Sequence, residues 1–363
     1  MNPFYPEIKK NFGFGCMRFP MIGDKVDIPT TTKMVDAFLE RGFNYFDTAH
    51  GYIGGQSETA LRECLTSRYP RESYILTNKL SGNFFEKRED IRPLFQDQLE
   101  KCGVEYFDFY LMHALSKDGH KRYQEIGAYD VAQELKAEGK VRHVGMSFHD
   151  SAEVLDQILT DRPELEVVQL QFNYVDYEDP HVEARKCYEV CVKHNKPVIV
   201  MEPVRGGSLV NLPEEAKKLM TTGSPASYAI RFAAGFDNIM MVLSGMSDMA
   251  QMEDNLSYMV DFKRLTAEEL ETIDKVRVMF QAEHRIPCTG CRYCVDGCPA
   301  SIQIPDMFNC LNDLNRKKGE PQKAYAEFTA KASECVGCGQ CEDICPQQLH
   351  IRELLVAVAK AFE

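Results

Sequence analysis

Residues 43–52 read FNYFDTAHGY, an aromatic and apolar run that closes on an acid, Asp47, with a tyrosine, Tyr52, five positions further on. A run of this kind suits a buried strand, and its polar end marks where the strand leaves the core. The same pattern recurs up to about residue 260. FGFGCMRF, FNYFD, YILTNK, FDFYLMH, VRHVGMS, VVQLQ, PVIVM and IMMVLSG make eight such runs. Between them SETALRECL, IRPLFQDQLEKCG, YDVAQELKAEG and HVEARKCYEVCVKH carry apolar residues near the helical period, several of them ended by glycine. Eight strand and helix units in succession predict an α/β chain folded as a closed (β/α)8 TIM barrel rather than an open doubly wound sheet. No glycine fingerprint of the open-sheet dinucleotide fold follows the first run, which supports the same choice.

Barrels of this class keep their chemistry at the C-terminal ends of the strands. FNYFD ends on Asp47, YILTNK on Lys79 and FDFYLMH on His113, with Tyr52 just beyond the first of these. A lysine beside a phenol favours the phenolate, an aspartate keeps the lysine charged, and a histidine can orient or donate to a carbonyl oxygen. Together the four form a proton-transfer group with Tyr52 as the acid. Each has a plainer reading: Asp47 before Thr48 as a turn or helix cap, Lys79 as a solvated strand end, His113 as a half-buried imidazole. Their coincidence at the ends of three successive predicted strands outweighs those readings.

Composition narrows the partners. The chain has 363 residues, 44% hydrophobic and 27% charged, enough for a large domain and a small one. A formal charge of −13 offers no basic face, so nucleic acid and anionic membrane surfaces are excluded as expected partners. The opening MNPFYPEIKK lacks the apolar core of a signal peptide, and no apolar run is long enough to span a bilayer. A cytoplasmic setting is expected, in which fourteen cysteines are metal ligands and buried thiols rather than disulfides.

The stretch from about residue 11 to 260 resembles the aldo/keto reductases through FDTAHGY, ILTNKL, DFYLMHAL, GKVRHVGMS and VVQLQFNY, in order and spacing. The resemblance implies reduction of a small carbonyl substrate by hydride from a nicotinamide, with Asp47, Tyr52, Lys79 and His113 in the four catalytic positions. It also implies that Ser147 and Gln169 hold the nicotinamide carboxamide, for which hydroxyl and amide groups are suited. Other positions depart from the pattern. Phe148 stands where a hydrogen-bonding Asn is usual, and Met201, in MEPVRGG, where an aromatic ring usually stacks on the nicotinamide. Arg205, Gly206 and Gly207 suit a phosphate loop after the seventh strand. After the eighth, GMSDMAQMEDN carries Gly245, Ser247, Gln251 and Asn255 as cofactor-binding positions. The same turn sets Asp248, Gln251, Glu253 and Asp254 where relatives binding a 2′-phosphate place basic side chains, so NADH is favoured over NADPH. The weaker hold on the nicotinamide ring leaves a flavin as the alternative.

TAEELETIDKVRVMFQAEHRIP reads as a linker helix within 263–287, separating a barrel, 1–262, from a cysteine domain, 288–363. That domain opens with CTGCRYCVDGCP and repeats the motif 47 residues later as CVGCGQCEDICP. Paired Cys-x2-Cys turns also build zinc sites, but a third cysteine at the same gap and then Cys-Pro, twice over, exceeds what zinc asks for. The run resembles that of two-cluster ferredoxins, in which the fourth cysteine serves the other cluster. Carried over, one 4Fe-4S cluster takes Cys288, Cys291, Cys294 and Cys345, and the other Cys335, Cys338, Cys341 and Cys298. Residues 299–334 read mostly as helix, as in helical ferredoxin domains fused to redox enzymes. Of the remaining cysteines, Cys187 and Cys191 sit one helical turn apart and read as a buried face.

Hydride transfer moves two electrons at once and each cluster one, which leaves three readings. The first is a nicotinamide-dependent carbonyl reductase whose clusters are structural or serve another step. The second is a flavin enzyme wired by its clusters to an external carrier such as ferredoxin. The third is a regulatory barrel without catalysis, which the intact four-residue group argues against. A monomer or dimer is expected.

Overall fold

The computed structural model describes residues 2–283, 285–314 and 319–363. Contacts divide the chain into two compact units, one of Met1–Val204 and Lys217–Asp274, the other of Arg205–Ala216 and Lys275–Glu363. Residues 205–216 thus group with the cysteine region although barrel segments flank them in sequence. Of the expected linker, His284 lies outside the described residues, as do 315–318 of the expected helical stretch 299–334.

The first unit is the expected barrel. Its strands are β1 (Phe12–Gly15), β2 (Tyr45–Asp47), β3 (Ile75–Leu80), β4 (Phe107–Leu115), β5 (Val141–Phe148), β6 (Val168–Gln171), β7 (Val198–Met201) and β8 (Ile239–Gly245). All neighbours are parallel, and β1 pairs with both β2 and β8 to close the ring. Tyr45, Phe109, Leu111, Ile199 and Met241 fill the interior together with Ile8, and Tyr5 meets Phe109 edge-on with centroids 5.1 Å apart. The segment before β1 is fastened by Asn44, which precedes β2: its side chain accepts from the Lys9 amide and donates to the Glu7 carbonyl. Aromatic and β-branched residues on the outer strand faces pack under the helices in a continuous core.

Polar residues at the ends of several connections start the next helix. Asp27, Ser116, Ser151, Ser224 and Asp248 each accept a backbone N–H of the first turn. Two segments differ from the periodic pattern. β1 stops at Gly15, whose pairing with Asp47 is completed by the Cys16 amide donating to the Asp47 carbonyl. The helix begun by Gln56–Leu61 runs on as a π turn over Arg62–Thr66. In the second unit Tyr293–Asp296 and Ile304–Asp313 are echoed by Gln340–Asp343 and Ile351–Phe362, around a core that includes Ile302, Met307, Phe308 and Leu355. Among the described residues no helix is long and apolar enough to cross a membrane.

Gly145 on β5 is closely walled by its neighbours: a Cβ there would overlap a methyl of Val167, just before β6, lie 2.5 Å from the Val167 carbonyl oxygen and 2.9 Å from Leu111 on β4. Backbone and a buried methyl cannot yield as a flexible side chain would. Gly145→Ala is expected to destabilise the barrel by about 1–3 kcal/mol, read as a lower urea midpoint; an unchanged midpoint would show that the strands separate freely.

Candidate functional site

Lys79 is the second-last residue of β3, and its side chain has no solvent exposure. Its ammonium donates to Asp47 Oδ1 at 2.6 Å, to the Thr48 carbonyl at 2.9 Å and to the Tyr52 hydroxyl at 3.1 Å. Three protons meet three acceptors. Asp47 reaches this point because it ends β2 and pairs in register with Thr77 on β3. Tyr52 reaches it because the chain after Thr48 folds back through a tight turn, with Tyr52 N–H bonded to the Ala49 carbonyl and Gly54 and Gly55 both at positive φ. The Thr48 and Ser57 hydroxyls, 2.7 Å apart, and Ser57 donating to the Cys16 carbonyl hold that turn.

Burial pushes the Asp47 carboxyl up, while the Lys79 ammonium and the Gln169 amide, which donates to Asp47 Oδ2 at 3.2 Å, pull it back. His113 lies two residues before the end of β4, its ring 6.1 Å from that of Tyr52 and its Nδ1 2.5 Å from the Ser81 hydroxyl. Burial, and then the charges of Lys79 and His149, push this imidazole well below the usual histidine range, so it is neutral at pH 7. β4 continues to Leu115 past a register shift, with Ala114 at φ 54° and its amide bonded to Ser147 Oγ at 2.7 Å. Ser147 therefore uses its oxygen on β4 and keeps its proton to donate. It stands beside Gln169 in register across β5 and β6.

The four catalytic candidates thus come together, with Ser147 and Gln169 on the adjoining strands. Met201 ends β7, partly buried. Arg205 and Gly206 belong to the second unit, Arg205 with its guanidinium 5.7 Å from the Phe280 ring. At the end of β8 Gly245 lies against the Arg18 side chain, and Ser247 donates to the Arg18 carbonyl. Gln251 bonds Asp248, which caps the following helix, and Asp254 accepts from Ser224. Asn255 is taken up by Ser244 and Tyr258. Sequence reasoning missed Ser81, Arg18 and the role of the Thr48 carbonyl. Ser81 had a signal, two residues beyond Lys79 on the same strand end; Arg18, far from β8 in sequence, had none.

In the second unit the cysteines gather around two cavities, each about 330 Å³ counting the part open to solvent. One is lined by Cys288, Cys291, Cys294 and Cys345 with Ile304 and Phe308, the other by Cys298, Cys335, Cys338 and Cys341 with Ile302 and Leu355. Each cavity takes three sulfurs from one run and the fourth from the other run. Four soft donors around an apolar pocket suit an iron-sulfur cluster. Burial, then the neighbouring thiols, push Cys294 up; burial and nearby Glu342, then other thiols, push Cys341 up to about 11. Metal binding at these sites must displace protons.

Residues 11–278 match the aldo/keto reductase family, and residues 287–349 match a 4Fe-4S dicluster domain. A 9,11-endoperoxide prostaglandin H2 reductase of Trypanosoma cruzi is 27% identical over 283 residues, 73% of this chain and 93% of the relative. Among solved structures, an aldo-keto reductase of Bacillus halodurans in its holo form superposes with a TM-score of 0.60 at 25% identity, over 74% of this chain and 92% of that one. An aldo-keto reductase of Klebsiella pneumoniae in complex with NADPH shares the fold, with a TM-score of 0.59 at 17% identity over 74% and 90% of the two chains.

His149, close enough for its charge to act on His113, is pushed down by burial to about 4. Imidazoles depressed in the folded chain take protons more readily when it unfolds. Their contribution to stability is full above about pH 6.5 and declines as pH falls below it, by up to about 1.4 kcal/mol per pH unit each. The urea midpoint should therefore drop between pH 7 and 5, and drop less in His149→Gln; equal drops would show that His149 is not held neutral.

Proposed function

Because this chain belongs to the aldo/keto reductase family, we propose that it is an oxidoreductase that reduces a small carbonyl substrate with Tyr52 as the acid. The observation that carries this reading is the three-way contact of the Lys79 ammonium with Asp47, the Thr48 carbonyl and Tyr52. Because Lys79 donates to the Tyr52 oxygen, the phenolic proton is directed away from the lysine, toward an acceptor such as a substrate oxygen. The ammonium then stabilises the negative charge that grows on the phenol as the proton leaves. In this reading Ser81 donates to Nδ1, so that neutral His113 carries its proton on Nε2 and offers it as a hydrogen bond to the same oxygen. Asp47 fixes the lysine, and Gln169 fixes Asp47.

A nicotinamide nucleotide, when bound, supplies the hydride, and Ser147 and Gln169 would meet its carboxamide. We favour NADH. Asp248, capping the helix after β8, and Glu253 and Asp254, within that helix, put carboxylates on the segment where a 2′-phosphate would need cations. Arg18 beside Gly245 supplies one cation, for the phosphates common to both dinucleotides. The two sets of four cysteines would hold 4Fe-4S clusters, which exchange one electron at a time. That stoichiometry supports a second reading, in which a flavin in the barrel converts between hydride and single electrons and the clusters serve an external carrier such as ferredoxin.

Tyr52→Phe keeps the ring and removes the proton. Carbonyl reduction should fall by about 100- to 10,000-fold while nucleotide binding is nearly unchanged; a rate near wild type would move the acid to another group. Protein purified without oxygen should carry about eight irons and eight acid-labile sulfides, and stoichiometric zinc without sulfide would overturn the cluster assignment. In titrations at low salt NADH should bind more tightly, and NADPH binding about tenfold tighter, with no flavin released on denaturation, would refute this account of the pocket.

A further inference from the structure

The two Cys-x2-Cys turns share one backbone. Gly290 and Gly337 have φ of 68° and 71°, and Arg292 and Gly339, each two residues further on, are also at positive φ. The residue after the first cysteine is Thr289 in one turn and Val336 in the other, and their surroundings are opposite. Thr289 is 3% exposed, while Val336, an apolar side chain, is 69% exposed.

Thr289 is covered from outside the cysteine repeat. Gly206, at φ 62°, lies so close that a Cβ there would overlap the Thr289 carbonyl oxygen and come within 2.7 Å of its carbon and 2.9 Å of its Cα. Only glycine meets both demands, the left-handed backbone and the missing Cβ. Arg205 anchors the turn over the buried ring of Phe280 in the same unit. Among the described residues the second turn has no such cover: a Cβ at Gly337 or Gly339 would meet nothing within 4 Å, and Cys338 is exposed where Cys291 is partly buried.

We propose that Gly206 shields the Thr289 turn of the first cysteine set and is a positioning residue for it, so that Cys335 and Cys338, on the turn with exposed Val336, are the thiols that oxidants and chelators reach first. Solvent access tunes a cluster's potential and its lability, and here it differs between the two Cys-x2-Cys turns that serve the same donor set. The inference rests on the reading that both cavities hold clusters.

The test uses holoprotein purified without oxygen, challenged with ferricyanide and EDTA in the presence of iodoacetamide, with labelled cysteines mapped over time. Cys335 and Cys338 should be alkylated at least about tenfold sooner than Cys288 and Cys291, with about four of about eight irons leaving in the fast phase. Gly206→Ala should remove the difference. Gly337→Ala, which bears a similar left-handed penalty without a clash, should keep it. Where Gly206→Ala does not fold, the wild-type order decides: equal rates, or labelling of the Cys288 pair first, overturn the proposal. Protein that binds no iron overturns the cluster reading itself, a result distinct from equal lability at about eight irons.

Discussion

A lysine ammonium sealed from solvent has to be matched by acceptors, and the mouth of this barrel is arranged around that demand. Losing one partner of a buried charge costs about 3–5 kcal/mol, because the charge that remains has nowhere to be solvated. Lys79 therefore requires an acid at the end of β2, a free carbonyl at Thr48 and a hydroxyl from the turn that follows. The turn at 49–55, with its two left-handed glycines, exists in a form that returns Tyr52 to the strand end. In the proposed reaction the contacts that keep the lysine soluble in protein are the same ones that would aim the Tyr52 proton. Structure and reactivity here rest on one set of hydrogen bonds.

The opposite end of β4 shows what a buried charge does when no chemistry is attached. Asp108, near the start of that strand and fully buried, accepts from Arg71 at 2.6 Å, from Arg142 at 3.0 Å and from the Leu76 amide at 2.8 Å. Both carboxylate oxygens go to fixed donors. In barrels of this class the N-terminal ends serve stability and the C-terminal ends function. Asp108 and Asp47, both acids on parallel strands, divide along that line because of which end of the strand they occupy.

The cysteine repeat makes a related point in the second unit. Its backbone devices recur at one offset: Gly290 with Gly337, Arg292 with Gly339, and Ser301 with Gln348, all at positive φ. The short helices that carry the third cysteine of each run, Cys294 and Cys341, recur as well. Local sequence is sufficient for this, because each turn is set by residues within a few positions of one another. Burial is not symmetric, since it depends on what another part of the chain lays over each turn.

The eight strand runs, their parallel order and the strand-end positions of Asp47, Lys79 and His113 were legible in the letters, because apolar periodicity and polar punctuation are local signals. So was the presence of two cysteine runs, whose spacing is itself the signal. Distances between elements were not legible. That Gln169 donates to Asp47, that Ser81 meets His113 and that Ser247 donates to the Arg18 carbonyl follow from assembling and closing the ring, which brings together the last two although they are 229 positions apart. The grouping of Arg205 and Gly206 with the cysteine unit is of the same kind. Sequence determined which residue types stand at which strand ends, because those choices are made within a few residues; tertiary structure decided which of them touch, because a contact is fixed only when every strand between has taken its register.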